Sequence, residues 1–358
     1  MDTRSWQSQR WHFALVMAGV GALVALVIAA RLTIGETELP VLGEGNNLAT
    51  VLLYVLPIVC GITMAIGFRR LLKTDEHLSV PERLVAAKRG RQWIGRIVAS
   101  LAVAGLAFAA TALVLFLFTN LFTGLTVPRL WSLILAAGLG ALAGLVTAYW
   151  AAAVTSTQLL ILGLAFTFVM LGLAMANASN PTWWENSISY LSHDSGGDMF
   201  FRIGLVLGGL IIMAVAMDII GLFRLAMEAG QISRRNFRIV EFGLLAASFG
   251  IVGVGLFPTV VSDLSDLLHN IFANGMIGLV MIGMFAIPVL VPVLPPAFRA
   301  FSFTCGVIAV GLFLGWAVFG WLIFAVFEVL ILSLAAVWVV GFMRFTLSFV
   351  RHDTALQA

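Results

Sequence analysis

In a chain of 358 residues, a hydrophobic fraction of 61%, a charged fraction of 10% and a mean hydropathy of +1.07 exclude a water-soluble globular domain, in which about a quarter of residues are charged. The formal charge of +3 does not point to nucleic acid, because the basic residues sit in short connections between apolar runs. There they hold helix ends on the cytoplasmic side of a membrane.

The apolar runs fall at 12–31, 48–68, 96–122, 131–151, 157–177, 200–223, 239–257, 271–294, 301–318 and 321–343. A run of about twenty residues is what a helix needs to cross a hydrocarbon core of roughly 30 Å. The pattern predicts an all-α, polytopic integral membrane helix bundle of about ten transmembrane helices with both termini cytoplasmic. The first run has no clear cleavage site and reads as a retained anchor helix. Cys60 and Cys305 lie inside apolar runs and read as buried thiols, not a disulfide.

Orientation follows from the cations. With the N-terminus inside, seventeen of the twenty Lys and Arg residues are cytoplasmic, and only Arg31, Arg129 and Arg202 are external. Reversing the chain would reverse that asymmetry, against the positive-inside rule. Eight of the seventeen carboxylates are external: Glu36, Glu38, Glu44, Glu185, Asp194, Asp198, Asp263 and Asp266.

Residues 1–156 read as an N-terminal four-helix membrane part, with a basic cytoplasmic loop over 69–96. Ser79-Val80-Pro81-Glu82 in that loop has capping-box spacing. It predicts a short basic amphipathic helix on the inner leaflet, ending near Gly90. A solvated linker that enforces topology, or a dock for a cytoplasmic protein partner, is the competing reading. Residues 157–358 read as a C-terminal six-helix membrane domain. Gly140–Gly144, Gly204–Gly208 and Gly311–Gly315 have the small-xxx-small spacing that lets helices in lipid approach closely.

Two external loops carry the densest polar chemistry. The first runs from Asn180-Pro181-Thr182 through Trp183, Trp184, Glu185, Tyr190 and His193 to Asp194; the second runs from Phe257-Pro258-Thr259 through Asp263 and Asp266 to His269-Asn270. Asp263, Asp266 and His269 recur every three residues, which aligns them along one face of a helix capped by Ser262. If the loops meet, these carboxylates and imidazoles form an outward-facing cluster able to bind a metal, do acid–base chemistry on a lipid head group or carry a proton. Ordinary external polarity, with Asp favoured in a first helical turn, explains the same residues. No metal-ligand spacing such as His-x-x-His decides for a metal, whose presence stays open.

Ionisable residues inside the spans are the second signal, because a charge at that depth is paired or functional. Glu328 and Asp218 are the candidates, with Arg202 as a partner for Glu328 or Asp198. No phosphate loop, dinucleotide fingerprint or nucleophile elbow is present, so the sequence implies no cofactor.

The run Asn180 to Leu191, the following helix with Gly204 and Gly208, then Phe257-Pro258 and Asp266-Leu267-Leu268-His269-Asn270 resemble the bacterial domain-of-unknown-function 998 membrane family. That family is similar to membrane proteins of the autophagy-modulator and GPI-lipid-remodelling type. The resemblance covers spans 5 to 10. It implies a six-helix bundle with an outer polar patch and an association with lipids, and carries over no reaction.

The expected role is non-enzymatic: binding or moving a lipid or small amphiphile at the outer face of the cell (plasma) membrane. The expected ligand-binding residues are Trp183, Trp184, Glu185, His193, Asp194, Arg202, Asp263, Asp266, His269 and Glu328. Glu328 and Arg202 would form the floor of an outer pocket, and Trp183 and Trp184 its rim. Membrane lipids are the expected partners, and nucleic acid is not one. An enzyme acting on a lipid head group through His269, Asp266 and His193, and an accessory subunit of an envelope complex, are the competing readings.

Overall fold

Ten runs of apolar residues without backbone partners in lipid must satisfy their own N–H and C=O groups, and a helix is the way a single segment does so. The structure, a computed structural model, describes residues 3–41, 47–74, 82–118, 125–151 and 154–356. Among them are ten helices long and apolar enough to cross a membrane. The protein is an all-α polytopic membrane protein. It divides into two compact units, Met1–Thr155 and Ser156–Ala358.

The first unit contains α1 (Thr3–Leu32), α2 (Leu48–Thr74), α3 (Glu82–Phe118) and α4 (Arg129–Ala151). α1 packs along α4, and α2 packs against α1, α3 and α4. Small residues set the α1–α4 approach. A Cβ on Gly21 would run into the carbonyl oxygen of Gly140, and one on Gly140 would meet both Gly21 and Ala25. Ala25, Ala29 and Ala136 are buried there beside Val51, Val55 and Val59 of α2. Both cysteines are free and buried, Cys60 in this unit and Cys305 in the other.

Two features of this unit differ from expectation. β1 (Glu38–Pro40) and β2 (Thr126–Pro128) pair antiparallel, with Leu39 opposite Val127. Three-residue strands leave no periodic trace in a sequence. Arg129 ties this ribbon to α1, its guanidinium donating to the Ala30 carbonyl at 3.4 Å and the Thr33 hydroxyl at 3.3 Å. A cation there complements the negative end of the α1 dipole. The cytoplasmic segment also differs: α3 runs unbroken from Glu82 into the span, so no separate helix ends near Gly90. Ser79 to Pro81 and Glu44 lie outside the described residues.

The second unit contains α5 (Ser156–Ala176), α6 (Asp198–Glu228), α7 (Arg234–Leu256), α8 (Asp263–Leu290), α9 (Pro296–Ala317) and α10 (Phe324–Leu356). Successive helices are neighbours, and α10 returns to touch α5, α6 and α8. Gly204 and Gly208 sit against α5, where a Cβ on Gly208 would collide with the Thr167 hydroxyl. Gly311, by contrast, faces open space, and Gly315 is near Leu322 only.

Serine caps open two helices. Ser233 accepts from the Asn236 N–H at 3.2 Å, and Ser262 from the Ser265 N–H at 3.2 Å, each satisfying an orphan donor of a first turn. The Ser262 cap starts α8 at Asp263, eight residues before the apolar run begins. Pro288 lies inside α8, two residues before its end, and Pro296 opens α9. A buried hydrogen-bond chain crosses the bundle: Trp338 Nε1–H donates to Ser302 Oγ, which donates to the Met284 carbonyl, each at 2.7 Å.

Candidate functional site

The segment between α5 and α6 folds as a lid over the second unit's outer end, the side assigned outside by the cations. Two short 3₁₀ turns, Trp183–Glu185 and Ile188–Ser192, build it. Ser187 caps the second turn, accepting from the Tyr190 N–H at 3.1 Å. Ile188 and Leu191 are buried with Leu171, Phe201, Leu205 and Val254, and Trp183 packs on that cluster.

Asp194 organises the lid. Its Oδ1 accepts from the N–H groups of Ser179 (2.7 Å), Gly196 (3.1 Å) and Gly197 (3.2 Å), and its Oδ2 from the Ser179 hydroxyl (2.8 Å) and the Asn180 N–H (3.1 Å). Burial opposes its ionisation, but the donors from Ser179, Asn180 and Gly196 prevail. They hold its carboxyl well below the usual carboxylate range. Gly196 allows this fold, since a Cβ there would collide with the Asn177 carbonyl oxygen.

The two external loops do meet, through hydroxyls. The Thr259 N–H donates to Ser192 Oγ at 2.9 Å, and Thr259 Oγ1 lies 3.0 Å from His193 Nδ1. Tyr190 meets the His193 ring edge-on, with centroids 4.5 Å apart. Thr259 is not among the residues expected to bind ligand; its place in the Pro258-Thr259 pair, matching Pro181-Thr182 of the first loop, is the sequence signal for it.

The carboxylates do not gather around this junction. Glu185 and Asp263 are exposed, Asp266 is half-exposed and accepts from Asn270 at 3.4 Å, and Asp194 is occupied by its own loop. Arg202 is exposed on α6 and makes no ion pair with Glu328 or Asp198 among the described residues. His269 is buried, with Nδ1 2.7 Å from the Phe257 carbonyl oxygen. A carbonyl only accepts, so the proton is on Nδ1. Its Nε2 is buried with no hydrogen-bond partner among the described residues. No group of three His, Cys, Asp or Glu side chains among them is placed to hold a metal ion.

Glu328 behaves differently. It lies in the second turn of α10 and is only 8% exposed. Its Oε2 accepts from the Ile188 N–H at 2.6 Å, and its Oε1 from the Ser189 hydroxyl at 3.5 Å. A helix carboxylate thus grips the lid from beneath. Asp218, nearer the inner end, accepts from the Ser156 hydroxyl at 2.6 Å.

Below the lid, α5, α6, α7, α8 and α10 leave a cavity of about 310 Å3. Its walls are almost wholly apolar, with Leu164, Ile212, Ala247, Ile277 and Val339 representative. Thr167 and Ser248 also line it, but each donates to a carbonyl of its own helix. Glu328 is the one ionisable side chain among its lining residues, at the outer end beside Ile188 and Ser189. Phe342 marks the other end on α10, so the slot follows about 21 Å of that helix at ~1.5 Å per residue. Phe242 and Ile282, 70% and 63% exposed, also line it, so it opens through the wall at inner-half depth. Of the ten expected ligand-binding residues, Glu328 alone lines this cavity. It forms the cavity's outer end, not the floor of an outer pocket, and Trp183 and Trp184 stay in the lid above.

Fold and site together define a multi-pass helical membrane protein with a lidded intramembrane cavity. No protein-family model, curated protein or solved structure matches the chain.

Proposed function

We propose that the second unit holds the hydrocarbon chain of a membrane lipid or small amphiphile in the cavity under the lid, in the cell (plasma) membrane, without chemical conversion. The supporting observation is the cavity itself: apolar walls, one carboxylate at one end and an opening in the lipid-facing wall. Ligand sites are typically apolar clefts of ~300–1,000 Å3 with a few placed polar groups. An ionisable residue at membrane depth is by default a functional candidate. The resemblance of spans 5 to 10 to the domain-of-unknown-function 998 family, with its association with lipids, belongs to the same proposal. Head-group chemistry by His193, Asp266 and His269 finds less support, because His269 is 1% exposed, Asp266 pairs with Asn270, and no three such side chains among the described residues converge.

Photocrosslinking tests this. A phospholipid with a diazirine in its acyl chain, in vesicles with the full chain, is expected to label peptides of α7 and α10. Ala336→Phe, which fills the slot, is expected to abolish that labelling while leaving helix content unchanged. Labelling confined to the outward faces of α1–α10, unaltered by Ala336→Phe, would contradict the proposal.

A further inference from the structure

Glu328 is a buried carboxyl at membrane depth that meets no cationic side chain among the described residues. Among the described residues the ion pair is Arg224–Glu241, on the opposite side of the unit at the α6–α7 turn. Glu328 receives two hydrogen bonds, one of them long at 3.5 Å, whereas a carboxylate has about four lone-pair sites. An enclosed ion is stabilised only when a counter-charge and donors complete its surroundings. Glu328 lies at the end of a slot whose other polar side chains already have partners: Ser189 on Glu328 itself, Trp338 on Ser302, and Thr167 and Ser248 on carbonyls of their own helices.

The slot runs along about 21 Å of α10 below Glu328 at ~1.5 Å per residue, so a head held there would lay its chain toward Phe342.

Resting on the cavity's being a chain site, we infer that its ligand is an amphiphile with a protonated amine head. The ammonium pairs with Glu328 beneath Ile188 and Ser189, and the chain extends toward Phe342. A carboxylate or phosphate head would set two anions together in a low-dielectric space, which is unfavourable. A hydroxyl head could donate a hydrogen bond but would bring no counter-charge for the carboxylate.

The test uses the full chain in phosphatidylcholine nanodiscs carrying a photoactivatable alkyl probe, with dodecylamine, dodecanol and dodecanoate as competitors. Competitor concentrations are referred to the bilayer by measuring partition into empty nanodiscs. Dodecylamine is expected to displace the probe at a concentration about tenfold or more below dodecanoate and dodecanol, a difference of about 1.4 kcal/mol. In Glu328→Gln, which keeps an acceptor for the Ile188 N–H, the three are expected to fall within about threefold, with dodecanol unchanged. Equal displacement by all three in the wild-type protein would overturn the head-group assignment while leaving the cavity a chain site. So would a preference for dodecylamine that survives Glu328→Gln. Failure of all three to displace the probe would overturn the chain site itself. The comparison among heads on the wild-type protein stands even if the variant does not fold.

Discussion

Glu328 of α10 accepts a 2.6 Å hydrogen bond from the backbone N–H of Ile188, 140 residues earlier in the chain. This bond joins the last transmembrane helix to the lid between α5 and α6, directly above the cavity. Such a hydrogen bond contributes about 0.5–3 kcal/mol, the upper end applying to an ionised acceptor. Glu328→Ala is therefore expected to speed amide hydrogen exchange at Ile188 and Ser189 and to lower lid stability by about that amount. Glu328→Gln retains an acceptor and is expected to lose less. Unchanged exchange at Ile188 in Glu328→Ala would show that the lid is held by its apolar contacts alone.

Asp194 predicts a pH dependence. Its donors hold the folded-state carboxyl below the unfolded value, so it contributes stability that is fully present above ~3.9. That contribution fades as pH falls from there through the lower folded value. Asp194→Asn replaces one acceptor oxygen by a donor facing donors, at a cost of about 1–3 kcal/mol at neutral pH. The gap in unfolding temperature between wild type and Asp194→Asn should be constant from pH 7 to about 5 and narrow below about 4. A gap that widens in acid would reverse the sign of the argument.

Helix contacts through glycine separate two otherwise similar substitutions. Gly140→Ala places a methyl group against Gly21 and Ala25, whereas Gly311→Ala places one in open space. Overpacking typically costs about 1–3 kcal/mol, and a surface change without contacts about 0.5 or less. Thermal unfolding in detergent should show a clear loss for the first and almost none for the second.

Much of the architecture was legible, and the reasons are physical. Hydropathy reveals spans because lipid selects the composition of whole helices, so all ten appeared in the sequence. Ends were less accurate where polar residues extend a helix beyond its apolar run, as Ser262 does by starting α8 at Asp263. Small-xxx-small spacing identified the Gly140–Gly144 and Gly204–Gly208 contacts, but the same spacing at Gly311–Gly315 meets no helix. Spacing states which residues share a face, not what lies opposite.

The site was harder to read. Counting external charges drew attention to Glu185, Asp263 and Arg202, which are exposed, while the loops actually join through Thr259, Ser192 and His193. Glu328 stood out because an intramembrane carboxylate is costly, yet its partner is a backbone N–H, which any residue type provides. The cavity was invisible, being the space left where five helices fail to close.

Sidedness follows from the cations, and cysteine accessibility checks it. Cys60 and Cys305 are buried, so new cysteines report alone. Asn186→Cys, on the exposed surface of the lid, should react with a membrane-impermeant maleimide on intact cells. Lys88→Cys should react only after permeabilisation. The reverse pattern would invert the lid, the cavity and Glu328 together.

Native mass spectrometry of the full chain, released from mild detergent, bears most directly on the cavity as a chain-binding site. The wild-type protein is expected to carry one amphiphile adduct per chain, and Ala247→Phe with Ala336→Phe is expected to lose it. A wild-type protein free of any adduct, or a filled variant that keeps the same adduct, would contradict it.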